Sequence, residues 1–167
     1  MNEKMRGSSR RRAREVALQV LYAIDLATRQ RPDKEQTKEH SPAELISPAP
    51  CGTRPCAVFD SVAENFEMPA AAREFAKELA LRVSENRGEL DELIGGHAEN
   101  WRIVRMAAVD RNILRLGAYE LAHTDTPSAV VLNEAVDLAR RYGSDPSPAF
   151  VNGILDAIAR GVREVET

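Results

Sequence analysis

Residues 109–123 read VDRNILRLGAYELAH, and their apolar side chains fall on most sides of a 3.6-residue helical turn rather than along one stripe. A helix at a protein surface keeps a polar face, so one of this kind belongs in the centre of a bundle. The segments that follow fit that frame. TPSAVVLNEAVDLARRYG, residues 126–143, opens with Thr126 as N-cap and Pro127 at the first helical position, and closes with Gly143 at the C-cap. SPAFVNGILDAIA, residues 147–159, repeats the device with Ser147 and Pro148 and then sets Val151, Ile154, Leu155 and Ile158 on one buried stripe.

Upstream, Trp101, Ile103, Val104 and Met106 predict a short helix. Pro69 reads as the first residue of a long helix reaching about Ile94, with Phe75, Ala76, Leu79, Val83, Leu90, Leu93 and Ile94 on its buried side and Gly95-Gly96 ending it. A shorter helix covers 57–66. Residues 29–57 carry five prolines and no sustained helical period, which reads as an exposed, mobile insertion with at most a short turn around residues 43–46.

The first helix has Ser8 or Ser9 as N-cap and buries Ala13, Val16, Ala17, Val20, Leu21, Ile24 and Ala27. Leu18, Tyr22 and Leu26 form a second apolar row nearly opposite that face. Such a row is either a further core contact or a surface for another protein. The sum is an all-α, single-domain bundle of about seven helices, with the Pro-rich insertion in its first interhelical connection. Residues 1–9 read as a basic flexible arm, 10–160 as the helical domain and 161–167 as a tail.

Size and composition agree: 167 residues, 43% hydrophobic and 5% aromatic, suit one aliphatic core. No apolar run approaches the roughly 18 residues that span a bilayer, and no apolar segment precedes an N-terminal cleavage site. Glu15 and Asp25 argue against a transit peptide, so the expectation is a cytoplasmic protein without membrane contact. Cys51 and Cys56 read as ordinary reduced thiols, because a zinc site needs about four ligands and His40 is the only nearby histidine.

The charge is uneven. Lys4, Arg6, Arg10, Arg11, Arg12 and Arg14 against Glu3 give the first 14 residues +5, whereas the whole chain carries −3. Cations at a helix start oppose the helix dipole. A basic end on an acidic body often meets nucleic acid or an acidic membrane, and the alternative is a solvated tail. No catalytic set accompanies it. His40, His97 and His123 lack a nucleophile and acid at a telling spacing, Gly95-Gly96 lacks the context of a phosphate loop, and acidic pairs such as Asp91-Glu92 and Glu64-Glu67 read as solvated helix faces. No enzyme activity and no cofactor are expected.

RRRAREVALQVLY near the start, VDRNILRLGAYEL, and VLNEAVDLARRYG running into FVNGILD together resemble the NusB family of bacterial transcription antitermination factors. The resemblance covers residues 9–28 and about 58–160. It implies a seven-helix protein without an active site that binds boxA RNA of nascent ribosomal RNA transcripts with NusE, the tenth protein of the small ribosomal subunit, and then joins NusA, NusG and RNA polymerase. On this resemblance Arg10, Arg11, Arg12 and Arg14, with Lys4 and Arg6 of the arm, contact RNA phosphates. Phe150 matches the aromatic beside the RNA path, and Asn152 offers hydrogen bonds to a base edge. Tyr22 matches a tyrosine facing NusE, which assigns Leu18 and Leu26 to that surface, and Asp110 matches an acid that pairs with a basic residue of the partner. The turn GSDPSPAF departs from the family's charged pattern through Pro146 and Pro148. Competing readings are a helical adaptor or homodimer without an RNA role, and a detached domain of an rRNA methyltransferase.

Overall fold

The computed structural model describes residues 3–29, 54–98 and 101–165, without the side chains of residues 3–6, 29, 54 and 163–165. They form α1 (Glu3–Arg29), α2 (Arg54–Ala63), α3 (Ala70–Glu85), α4 (Arg87–His97), α5 (Ala108–His123), α6 (Ser128–Tyr142) and α7 (Ser147–Val165), with a single 3-10 turn at Ile103–Arg105. Residues 30–53, most of the expected insertion and with it Cys51, lie outside the described residues. Among the described residues there is no strand, and no helix is long and apolar enough to cross a membrane.

The central position read from residues 109–123 is what the fold contains: α5 packs against α1, α3, α4, α6 and α7. Gly117 permits the approach of α7, since a Cβ there would stand 2.6 Å from Cδ1 of the fully buried Leu155. The stripe of Val151, Ile154, Leu155 and Ile158 is buried, as are Ala13, Val16, Ala17, Val20 and Leu21 of α1.

Several boundaries differ from expectation: α2 runs over Arg54–Ala63 rather than 57–66, α4 continues through Gly95-Gly96 to His97, and Pro127 rather than Thr126 is the N-cap of α6. Three further differences have a local reason. The helix expected over 69–94 is two helices, because at Asn86 the side-chain amide donates to the Arg82 carbonyl at 2.7 Å and the backbone adopts φ −95°. A side chain that satisfies its own backbone competes with helix continuation, and Gly88 follows. The expected helix at 101–106 shrinks to one 3-10 turn, with extended backbone at Arg102 and Met106. Finally, α1 starts at Glu3 rather than at a Ser8 or Ser9 cap, so the arm is helical from Glu3. Glu3, Lys4, Met5 and Arg6 are good helix formers, and an acid in the first turn favours the dipole. Arg10 therefore lies two turns inside α1, where the dipole penalty on cations no longer acts.

The core also holds charge that periodicity could not announce. Asp25 of α1 is 3% exposed and accepts from Arg111 of α5, while Arg87 and Arg115 each approach its other oxygen to 3.7 Å. Arg115 closes a fork on Asp91 at 2.6 and 2.8 Å, so Asp91 is no solvated helix-face acid. Burial alone would push the Asp25 carboxyl up, but the Arg111 hydrogen bond and the charges of Arg111, Arg115 and Arg87 outweigh it and hold the group below the usual carboxylate range.

Candidate functional site

The arginine run of α1 divides by face. Arg10 and Arg12 are exposed and rest against aromatic rings of the neighbouring elements: Arg10 lies 5.9 Å from the Phe75 ring centre and Arg12 4.9 Å from that of Phe66. Such contacts contribute about 0.5–1 kcal/mol at exposed sites and fix the direction of a long side chain. Arg12 also pairs with Glu15 at 2.8 Å. Arg11, half exposed, reaches across to α6, donating to Glu134 at 3.1 Å and to Asp137 at 2.7 Å. The Glu134 hydrogen bond and charge push the Arg11 guanidinium pKa further up, so it stays cationic at any working pH.

Arg14 departs from the phosphate role expected of it. It is 3% exposed, lies 5.7 Å from the Phe75 ring centre, and closes two hydrogen bonds of 2.7 and 2.9 Å on Glu120 of α5. Helical phase does not separate it from Arg10 and Arg11, which stand four and three positions earlier on nearly the same face; one turn further along α1 that face is covered by Phe75 of α3 and Glu120 of α5. Lys4 and Arg6 lie in the first turns of α1, and their side chains are outside the described residues.

Beside Arg11 a groove of about 450 Å³ runs between α1 and α6, lined by Arg11, Glu15, Glu134, Asp137, Arg140 and Arg141. Its cations alternate with carboxylates: Arg141 bonds Glu15, and Arg140 meets Asp137 at 3.2 Å. Arg140 and Arg141 were not singled out from the sequence. Their only signal there is the pair of cations in the last turn of α6, the ordinary complement of a helix C-terminus.

The row Leu18, Tyr22, Leu26 splits. Leu18 is 3% exposed and belongs to the core, whereas Tyr22 and Leu26 are each 37% exposed. Leu18 still forms the inner wall of an apolar groove of about 390 Å³ that it shares with Tyr22, Val62, Val109 and Tyr142. The core-contact alternative therefore holds at Leu18, while Tyr22 and Leu26 stand open to solvent.

Phe150, half-buried, packs edge-on against Trp101 with ring centres 5.5 Å apart. The two rings line a third groove, of about 240 Å³, with Arg105, Met106, Ala107, Pro146, Ser147 and Asp110. Asp110 thus accompanies Phe150 and not the Tyr22 groove, although Val109, the residue before it, lines the latter. Asn152 is exposed on α7 and lines none of these grooves. Among the described residues no group of three His, Cys, Asp or Glu side chains is placed to hold a metal ion, and Cys56 is buried.

The profile of the NusB family matches residues 11–160. The chain is 42% identical over 156 residues to the transcription antitermination protein NusB of Anaeromyxobacter dehalogenans strain 2CP-1, with 93% of each chain covered. Against the protein of that name from Myxococcus xanthus the identity is 39%, over 90% of this chain and 94% of the relative. Among solved structures, the antitermination factors NusB and NusE in complex with double-stranded RNA superpose with a TM-score of 0.70 at 30% identity, over 92% of this chain and 98% of that one.

Proposed function

Since the chain belongs to the NusB family of non-enzymatic transcription antitermination factors, we propose that it binds boxA-type RNA in nascent ribosomal RNA transcripts as a heterodimer with NusE. With NusA, NusG and RNA polymerase, this complex keeps ribosomal RNA transcription processive. The observation that carries the reading is the division of α1. One end presents Arg10, Arg11 and Arg12 to solvent, the other presents Tyr22 and Leu26, and the same fold is found with RNA and NusE together.

Each end suits its ligand physically. Arginine forks match phosphate oxygens and set affinity without reading sequence. An amphipathic tyrosine beside an aliphatic groove is the usual anchor of a protein interface, with the ring supplying area and the hydroxyl a hydrogen bond. Phe150 adds a stacking platform for a base, a contact worth about 1–3 kcal/mol where it occurs.

Fluorescence anisotropy of a labelled boxA-like RNA and a scrambled control, with and without NusE and at two salt concentrations, tests the reading. Selective, salt-sensitive binding strengthened by NusE is expected. Absence of RNA binding in every condition, with a self-associated protein in solution, would favour the adaptor or homodimer instead.

A further inference from the structure

We propose that Phe66 is a positioning residue for RNA binding: its ring carries the guanidinium of Arg12 and holds it in one orientation at the surface before a phosphate arrives. This rests on the RNA-binding function proposed above and adds to it a residue that raises affinity without touching RNA.

An arginine on a helix surface samples many rotamers, and a phosphate contact must end that freedom, which subtracts from affinity. At Arg12 the ordering is built into the fold. Its guanidinium carbon lies 4.9 Å from the Phe66 ring centre, the closest arginine–ring approach among the described residues, and its Nη1 donates to Glu15 at 2.8 Å. A ring on one face and a carboxylate at one edge fix both the position of the group and its rotation, yet the side chain stays 44% exposed. Arginine suits such a site because its flat face can rest on a ring while its N–H groups point along the plane, which a lysine ammonium cannot reproduce.

Charge remains available for RNA. Glu15 also accepts from Arg141, so two cations share one carboxylate. The Nε and Nη2 of Arg12 meet no hydrogen-bond partner among the described residues, which leaves the two-pronged edge that phosphate oxygens take.

Phe66 lies between α2 and α3, half-buried at the margin of the core. An aliphatic side chain would serve that core contact, and the aromatic face is what serves the arginine. Phe75 stands in a similar relation to Arg10, at 5.9 Å, but it also lies 5.7 Å from the buried Arg14. Removing the Phe75 ring would disturb the Arg14–Glu120 pair and mix folding with binding. Phe66 is therefore the position at which orientation separates from stability.

A double-variant cycle tests this, using the full chain with NusE and a labelled boxA-like RNA, read by anisotropy over a salt series. Phe66→Leu should weaken binding about two- to fivefold, the worth of an exposed arginine–ring contact. Its slope against log salt should match the wild type, because no charge is lost. Phe66→Tyr keeps a ring and should keep the affinity. Arg12→Lys keeps the charge and loses the planar stacking, so it should weaken binding at an unchanged slope, and adding Phe66→Leu to it should cost little more. Arg12→Ala should instead flatten the slope by about 0.7, the share of one single-strand phosphate. Equal losses from Phe66→Leu in the wild-type and Arg12→Lys backgrounds would show the ring acting on the fold rather than through the arginine, and would overturn the proposal. Unchanged affinity in Phe66→Leu overturns it as well, with RNA binding left intact. Failure of the wild type to bind RNA at any salt concentration overturns the underlying function too.

Discussion

Arg14 and Glu120 stand 106 residues apart in the chain and meet in the interior as a two-pronged ion pair, their side chains 4% and 2% exposed. The arginine that the sequence groups with an RNA-binding arm is thereby a bolt between the first helix and the central one.

Removing one half of that bolt leaves the other as a buried charge, with only Glu134 at 4.0 Å left to offset Arg14. Glu120→Ala should cost about 3–5 kcal/mol of unfolding free energy, and Arg14→Ala a comparable amount. Replacing both by apolar residues of similar volume should recover most of it. Urea denaturation of the two single variants and the double variant measures this. Additive losses in the double variant would contradict the pairing.

The exposed arginines should behave in the opposite way. Arg10→Ala, Arg11→Ala and Arg12→Ala together should weaken all RNAs similarly and flatten the salt dependence. Their surface pairs are worth only about 0–1 kcal/mol each, so unfolding should change little. Glu134→Gln with Asp137→Asn frees Arg11 from its carboxylates and should raise RNA affinity and steepen the salt slope. An equal loss of stability in the triple variant, or weaker RNA binding in the double one, would remove this face from the RNA path.

On the apolar groove, Tyr22→Asp places a charge where a protein surface is to dock. Affinity for NusE should fall by at least about tenfold, the effect of losing a moderate interface anchor, while weak RNA binding by the isolated protein persists. Isothermal titration calorimetry with NusE reads the first quantity and anisotropy the second. Unchanged NusE affinity would place the partner elsewhere.

The Asp25 cluster predicts an acid limb. Its carboxyl is held below the usual carboxylate range in the folded protein, so the stability it contributes is complete above the ordinary value of about 4 and is lost as pH falls through the lower folded value. Thermal unfolding followed from neutral pH downwards should show a falling Tm in that window, and Asp25→Asn should flatten the dependence there. A variant with the wild-type acid profile would show that other carboxylates set it.

Periodicity made the bundle legible. The apolar circumference of residues 109–123 placed α5 at the centre, and Ala13, Val16, Ala17, Val20 and Leu21 read directly as the inner face of α1. The helix count came out at seven for a different reason, with α3 and α4 divided at Asn86 and the segment around Trp101 nearly unwound. What stayed hidden is chemistry between helices. Asp25, Arg111, Arg115, Arg14 and Glu120 are charges on positions that point inward, and only a partner distant in the chain makes that tolerable. Helical phase could have flagged Glu120, which sits within the apolar central helix, but not the residue it meets. The placement of Asp110 beside Phe150 joins α5 to α7 and has no counterpart in local sequence.

The same long-range ion pairs set a timetable for synthesis. A ribosome adding about 5–20 residues per second produces α1 roughly 5–20 s before Arg111 and Glu120, which lie 86 and 106 residues downstream of Asp25 and Arg14. Throughout that interval Val16, Val20 and Leu21 have no central helix to cover them. Until α5 arrives α1 can pack only on α2 and α3, so Asp25 and Arg14 wait at interior positions without their counter-charges.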